Sequence, residues 1–380
     1  MNLKSIMLGA AAAAAAVTGA QAADLPVAPE PVDYVRVCDA FGARFFYIPG
    51  TETCLRVGGR VRVDFYFNDF GDKPNNWNRA ANGTSTRARG YLYLDARTNT
   101  EYGLVRAYTT MIMTRDSAGS SYDLDKAFIQ FGNFTFGRAG SQYDFFTGNA
   151  YNQVGKNWSD ENSWVAAYTA AFGNGVSATI SLEDGTYRRV GTGYAGHRYP
   201  DLVAALKVDQ GWGSAKIMAA LHESRLANAS SKSKLGYGVG AGVTINLPML
   251  GKKDSISFQA QYADGAVSYA GVTSGAQDVV YNPVTRATRT TKAWSLSGGL
   301  LHYWTDNVTS AIDVSYANVD APFAGTDYSR WSVSGNAQWE PVSGLIFGAE
   351  LGYASIDYNR GSRLRDKDTI SGMLRVQRTF

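Results

Sequence analysis

The 380-residue chain is poor in the residue types that build metal centres, nucleic-acid interfaces and helical membrane spans. It has two cysteines, Cys38 and Cys54, and three scattered histidines, His197, His222 and His302. They form no N/S ligand cluster of the kind a zinc site requires, so no metal site is expected. Charged residues make up only 18% of the chain and the formal net charge is +3, which gives no global attraction to nucleic acid. Mean hydropathy is slightly negative, at −0.22. After the first 22 residues, no apolar run reaches the ~20 residues of a membrane helix. The nearest stretches are Ser163–Leu182 and Leu235–Gly251. The first is interrupted by the turn signal Gly173-Asn174-Gly175 and the second alternates glycine with other residues. Enzyme motifs are absent or out of context. Gly191-Thr192-Gly193-Tyr194-Ala195-Gly196 fits G-x-G-x-x-G, but Pro200 follows where a helix would have to run. His222-Glu223 opens like a zinc-protease motif, yet Leu226 holds the second histidine position. No catalytic residue and no cofactor are therefore assigned.

What is present points to export and to strands. Lys4, the apolar run Ile6–Val17 and Ala20-Gln21-Ala22 compose a secretory signal peptide over residues 1–22. Glycine is abundant, with 41 residues, and aromatics reach 13%. From residue 55 onward, segments of about ten residues alternate with period 2 and end in turn chemistry. Leu55, Val57, Gly59, Val61, Val63, Phe65 and Phe67 interleave with Arg56, Gly58, Arg60, Arg62, Asp64, Tyr66 and Asn68. In lipid the backbone must satisfy its own hydrogen bonds, so a non-helical span has to close into a barrel.

The expected fold is all-β, a transmembrane antiparallel up-and-down barrel of about 16 strands. The strands are placed at 55–68, 86–98, 103–114, 123–132, 134–139, 163–172, 176–184 and 201–209, then 214–223, 235–247, 255–263, 293–304, 308–318, 328–340, 345–357 and 368–380. Connections are expected to alternate short and long. The long ones include 69–85, 139–162, 185–200, 224–234 and 264–292. Sixteen to eighteen strands enclose an open interior, whereas eight fill themselves with side chains. Tyr66, Phe67, Phe134, Phe136, Trp164, Tyr303, Trp304, Trp339 and Tyr358 are candidates for aromatic girdles at the membrane interfaces.

The segment Val37-Cys38-Asp39-Ala40-Phe41-Gly42, followed by Phe46-Tyr47-Ile48-Pro49-Gly50-Thr51-Glu52-Thr53-Cys54-Leu55-Arg56-Val57, resembles the start of the alphaproteobacterial porins, where a proline-containing stretch (here Leu25–Pro31) comes first. Ala43-Arg44 departs from that pattern, which favours a smaller residue such as glycine. The resemblance extends to the terminal Phe380, which looks like the signal read by barrel-assembly machinery. It implies three regions: the signal peptide 1–22, a periplasmic segment with a Cys-paired hairpin over 23–54, and the barrel over 55–380. It also implies a homotrimer in the Gram-negative outer membrane, in contact with lipid and lipopolysaccharide, with the third external loop folded into the lumen. In an exported chain Cys38 and Cys54 are expected to form a disulfide.

The long connection after the fifth strand matches that inward loop and carries Asp144, Asp160 and Glu161, with Lys156 as its base. On the lumen-facing parity of the first three strands stand Arg56, Arg60, Arg62, Arg87, Arg89 and Arg106. An acidic loop opposite a basic wall would set a transverse field and, with both signs present, weak ion selectivity. The blander alternative pairs these arginines with Asp64 and Asp95. The function expected is passive diffusion of small hydrophilic solutes and ions. The competing readings are a sugar-specific channel using Tyr91, Tyr93 and Tyr108, a barrel enzyme built around His197, and an adhesin.

Overall fold

The structure, a computed structural model, describes residues 36–322, 327–359, 362 and 364–380. The expected signal peptide, residues 1–22, and the stretch Leu25–Pro31 lie outside the described residues. Sixteen strands form the barrel. The first eight are β1 (Cys54–Phe67), β2 (Thr84–Thr100), β3 (Gly103–Asp116), β4 (Gly119–Phe131), β5 (Phe134–Gly140), β6 (Asn162–Gly173), β7 (Val176–Glu183) and β8 (Asp201–Gln210). The second eight are β9 (Gly213–Ser224), β10 (Lys234–Asn246), β11 (Ser255–Asp264), β12 (Lys292–Tyr303), β13 (Val308–Asp320), β14 (Tyr328–Val342), β15 (Leu345–Tyr358) and β16 (Lys367–Thr379). Each pairs antiparallel with the next, and β16 pairs with β1 from Gly372↔Phe67 to Thr379↔Arg60. Both uncharged stretches rejected as helices are strands, in β6–β7 and β10.

Closure runs to the last residue. Phe380 N–H donates to the Gly59 carbonyl at 3.0 Å, and Gly59 N–H donates back at 3.1 Å. A Cβ at position 59 would stand 2.6 Å from the Phe380 ring, so glycine is what lets the terminal aromatic lie against β1.

The period-2 pattern becomes two faces. On β1, Val57, Val61, Val63 and Phe65 are exposed to the outside, while Asp64 and Tyr66 are buried inside. Tyr66 is thus no girdle residue: its parity turns it inward, where its hydroxyl donates to Asp64 at 3.1 Å. Phe134, Phe136, Trp164, Trp304 and Trp339 are exposed, as a girdle requires. Strict short-long alternation fails most clearly between β3 and β4. β3 and β4 run further than expected and meet in the two-residue turn Ser117-Ala118, where Asp116 accepts from Ala118 N–H at 2.9 Å and Gly119 takes φ 134°. The connection 265–291 holds a small hairpin of its own, Val279–Asn282 paired with Ala287–Thr290.

Part of the interior is packed as a solid core. Val203, Met218, Ala220, Ala263, Ala293, Ala317 and Val319 from β8 to β13 meet Tyr143, Val190, Val267, Tyr269 and Val272 from the connections. Asp278 sits in the same region, accepting from Val190 N–H and Val267 N–H at 2.7 Å each. Burial raises its carboxyl above the ordinary value, which suits an acid in a dry setting.

Ahead of β1, Cys38 and Cys54 form a disulfide that is buried with Phe45. Phe46–Tyr47 pairs with Leu55 and Cys54, making a tight hairpin. Arg44 occupies the left-handed region at φ 69°, which accounts for the expectation of a smaller residue there. A cross-link closing a loop of this length constrains the hairpin by about 3 kcal/mol in the chain-entropy account. The Cys38→Ser, Cys54→Ser double variant should therefore be cut by trypsin at Arg44 under conditions in which the oxidised protein resists. Equal resistance would show that the barrel holds the hairpin without the cross-link.

Candidate functional site

The inward face of β16, β1, β2 and β3 is a sheet of guanidinium groups, and register decides how each is partnered. Asp64, fully buried, accepts from Arg87 on one side and Arg375 on the other, both at 2.7 Å. Asp95 gathers Arg97 and Arg106 at 2.8 Å and Arg56 at 3.4 Å. For Arg56, Arg87 and Arg106 the structural pairing with aspartate holds. The other three predicted wall residues differ. Arg62 meets Gln377 at 3.0 Å and the Tyr91 hydroxyl at 3.4 Å, and Arg89 meets Thr114 at 3.1 Å. Arg60 lies over the Tyr91 ring at 3.9 Å. Among the described residues, these three have no carboxylate within ion-pairing distance.

Residues 141–161, between β5 and β6, are tied to inward-facing side chains of distant strands. Asp313 on β13 accepts from Asn149 N–H and Ala150 N–H at 2.7 Å each and from Asn152 Nδ2 at 2.9 Å. Glu350 on β15 accepts from the backbone N–H groups of Tyr151, Asn152 and Gln153. Gln259 and Gln261 on β11 accept from Phe146 N–H and Ser159 N–H, and Ser315 accepts from Asn157.

Glycines on the inward parity make room for the segment's side chains. A Cβ at Gly299 would lie 2.7 Å from the Phe146 ring, and one at Gly352 would lie 2.8 Å from Val154. Gly348 and Gly242 stand in the same relation to Tyr151 and Phe145. Much of the chain's glycine content in β10, β12 and β15 thus serves as sockets rather than turns.

The predicted acidic residues stand elsewhere than opposite the arginines. Asp144 receives Arg188 at 3.0 Å, together with the Ser159 hydroxyl and Glu161 N–H, and Arg188 is itself buried over the Tyr269 ring. Asp160 pairs with Lys156 within the segment. Glu161 is half-buried, and burial raises its carboxyl above the ordinary value, opposed by Arg188. His197 lies against Thr186, Arg189 and Asp184 in an external connection.

A cavity of about 520 Å³ is lined by Ala150, Tyr151, Asn152 and Gln153 on one side and by Arg62, Arg87 and Arg89 on the other, with the buried Arg375 bridging the two borders, its guanidinium 3.9 Å over the Tyr151 ring. Asp313, Glu350 and Arg375 were missed in the sequence. The available signal was parity, since each sits on the inward-facing alternate of a predicted strand, but parity alone does not say which loop it meets.

The comparisons with known proteins bear on the whole chain. The family model described as Porin subfamily matches residues 24–373. The chain belongs to the porin subfamily. Porin Omp2b of Brucella suis biovar 1 is 30% identical over 405 aligned positions, covering 100% of both chains, and Porin Omp2b of Brucella abortus (strain 2308) matches to the same extent. Among solved structures, the outer membrane channel DcaP of Acinetobacter baumannii superposes with TM-score 0.76 at 17% identity, covering 88% of this chain and 99% of that one. Salmonella typhi OmpF superposes with TM-score 0.56 at 11% identity, again over 88% and 99%. These two show the shared fold. As a porin, the protein is an outer-membrane β-barrel channel for passive diffusion.

Charge-assisted hydrogen bonds contribute about 1.5–3 kcal/mol each, and Asp313 and Glu350 together accept several from residues 149–153. Replacing both by alanine should free this apex. Single-channel recordings of the Asp313→Ala, Glu350→Ala variant should show larger and noisier conductance than the parent. An unchanged conductance would mean that the apex does not limit the porin's current.

Proposed function

We propose that this porin is a general-diffusion channel for small hydrophilic solutes and ions, narrowed where residues 141–161 approach the arginine face of β16, β1 and β2. The observation that carries the reading is the docking of residues 146–159 onto inward-facing Gln259, Asp313, Ser315 and Glu350. A connection leaving β5 and β6 reaches β11, β13 and β15 by crossing the barrel, and the cavity beside Arg62 and Arg89 is the space it leaves open.

In this account the basic wall of Arg56, Arg60, Arg62, Arg87, Arg89 and Arg106 lines the aqueous path. Asp144, Asp160 and Glu161 shape the base of the loop, and Asp144 does so by holding Arg188. Residues 1–22 are the cleaved signal peptide, 23–54 a periplasmic lead-in, and 55–380 the barrel, bathed by lipid and lipopolysaccharide and assembled as a homotrimer. Phe380 closes the last strand and serves as the assembly signal.

A sugar-specific path needs open aromatic faces. Tyr91 instead lies beneath Arg60 and is buried, which favours general diffusion.

Purified protein in a planar bilayer should give stepwise conductance in groups of three. Proteoliposomes should swell in neutral sugars at rates that fall smoothly with molecular mass. Silence under conditions in which another porin conducts would refute the channel, and a rate peak at one sugar would refute general diffusion.

A further inference from the structure

Arg62 and Arg89 occupy directly opposed positions of the β1–β2 ladder, on the inward parity. Like charges so placed destabilise a sheet, and the groups hydrogen-bonded to both are neutral: Gln377, Tyr91 and Thr114. Two rungs along, at the next inward-facing pair, Arg87 and Arg375 share Asp64. Four guanidiniums therefore line the gap, Arg375 with its face against the Tyr151 ring, and among the described residues one carboxylate, the fully buried Asp64, lies within ion-pairing distance of any of the four.

The opposite border, Ala150 to Gln153, carries no charge. Glu350 is near it in the fold, but its carboxylate is spent on three backbone N–H groups of that apex. A narrow cleft of one sign between low-dielectric walls concentrates counter-ions. Guanidinium forks match the paired oxygens of carboxylates and phosphates better than point charges do.

We infer that the gap bordered by Arg62, Arg87, Arg89 and Arg375 is a binding site for compact, doubly charged oxyanions, the chemistry shared by short dicarboxylates and phosphate. It gives the channel a preference for anions and a saturable component of transport. This rests on the reading that the channel narrows at this gap.

The test is electrical, on the full-length protein in planar bilayers. In a KCl gradient the reversal potential should carry the sign of chloride preference. At fixed chloride, added inorganic phosphate or succinate should reduce the chloride current along a saturating curve. The stronger of the two probes tells a tetrahedral site from a carboxylate site, and block by either supports the proposal. Arg62→Gln with Arg89→Gln should raise the half-blocking concentration about tenfold or more, since each lost charged hydrogen bond is worth at least that factor.

Arg62→Lys with Arg89→Lys should keep the chloride sign but weaken the block. Lys252→Gln with Lys253→Gln, on the turn between β10 and β11, removes the same charge and should change neither property. Potassium preference, or a chloride current that ignores both probes, overturns the anion site while leaving the channel intact. Absence of any conductance would instead overturn the channel reading beneath it.

Discussion

The backbone's need for hydrogen bonds in a medium that offers none governs this molecule. A strand crossing lipid can leave no edge, so sixteen strands must close, and closure is achieved down to the pair between Gly59 and Phe380. Once the sheet is closed, alternation along each strand has only two destinations. Val57, Val61 and Val63 face outward, and Arg60, Arg62 and Asp64 face the interior. The charged residues are not tolerated in spite of the membrane: the closed sheet is what lets them share a strand with residues that meet lipid.

A barrel of this size leaves more space than its own side chains fill, and the two halves of the interior are treated differently. On the side of β8 to β13, alanines and valines of the wall meet aromatic and aliphatic side chains of the connections, with Asp278 and Arg188 held by local partners. Around β16, β1 and β2, the wall carries arginines and the connection 141–161 presents only uncharged residues across a gap. At its apex the segment is held by the wall, while at its base Asp144 and the Lys156–Asp160 pair hold it from within. Its backbone N–H groups find carboxylates and amides on β11, β13 and β15, and its side chains find glycines. The cost of burying Glu350 and Asp313 is reduced because Glu350 receives three backbone hydrogen bonds over both its oxygens and Asp313 receives three at Oδ2.

The sequence made the barrel legible because the deciding signals are local. Period-2 alternation, turn residues and a terminal aromatic located all sixteen strands to within a few residues, as well as the long connection 141–161 and the inward parity of Arg60, Arg62 and Arg89. The site was legible only in part, because partnering depends on registers that bring distant residues together. Asp64 meets Arg375 across 311 positions, and Asp313 meets Asn149 across 164. Asp144, Asp160 and Glu161 were visible as a charged loop, but their engagement with Arg188 and Lys156 removes them from the arginine face. The glycines of β10, β12 and β15 read as a compositional bias until the side chains seated on them are known. Tyr66 was read on the inward parity it has, so its girdle candidacy conflicted with its own strand pattern, and the turn at Ser117-Ala118 was missed because β3 and β4 run a few residues further than expected.

The central claim is that one half of the inner surface is wet and the other half is sealed. Single cysteines in an otherwise unchanged chain, probed by a charged, membrane-impermeant thiosulfonate during bilayer recording, address it directly. Gln377→Cys, beside Arg62, should react within the open channel and reduce its current, whereas Ser315→Cys, beneath Asn157, and Leu374→Cys, on the outer face, should stay inert. Rapid modification at position 315 with none at 377 would place water where this account places packed protein, and would contradict it.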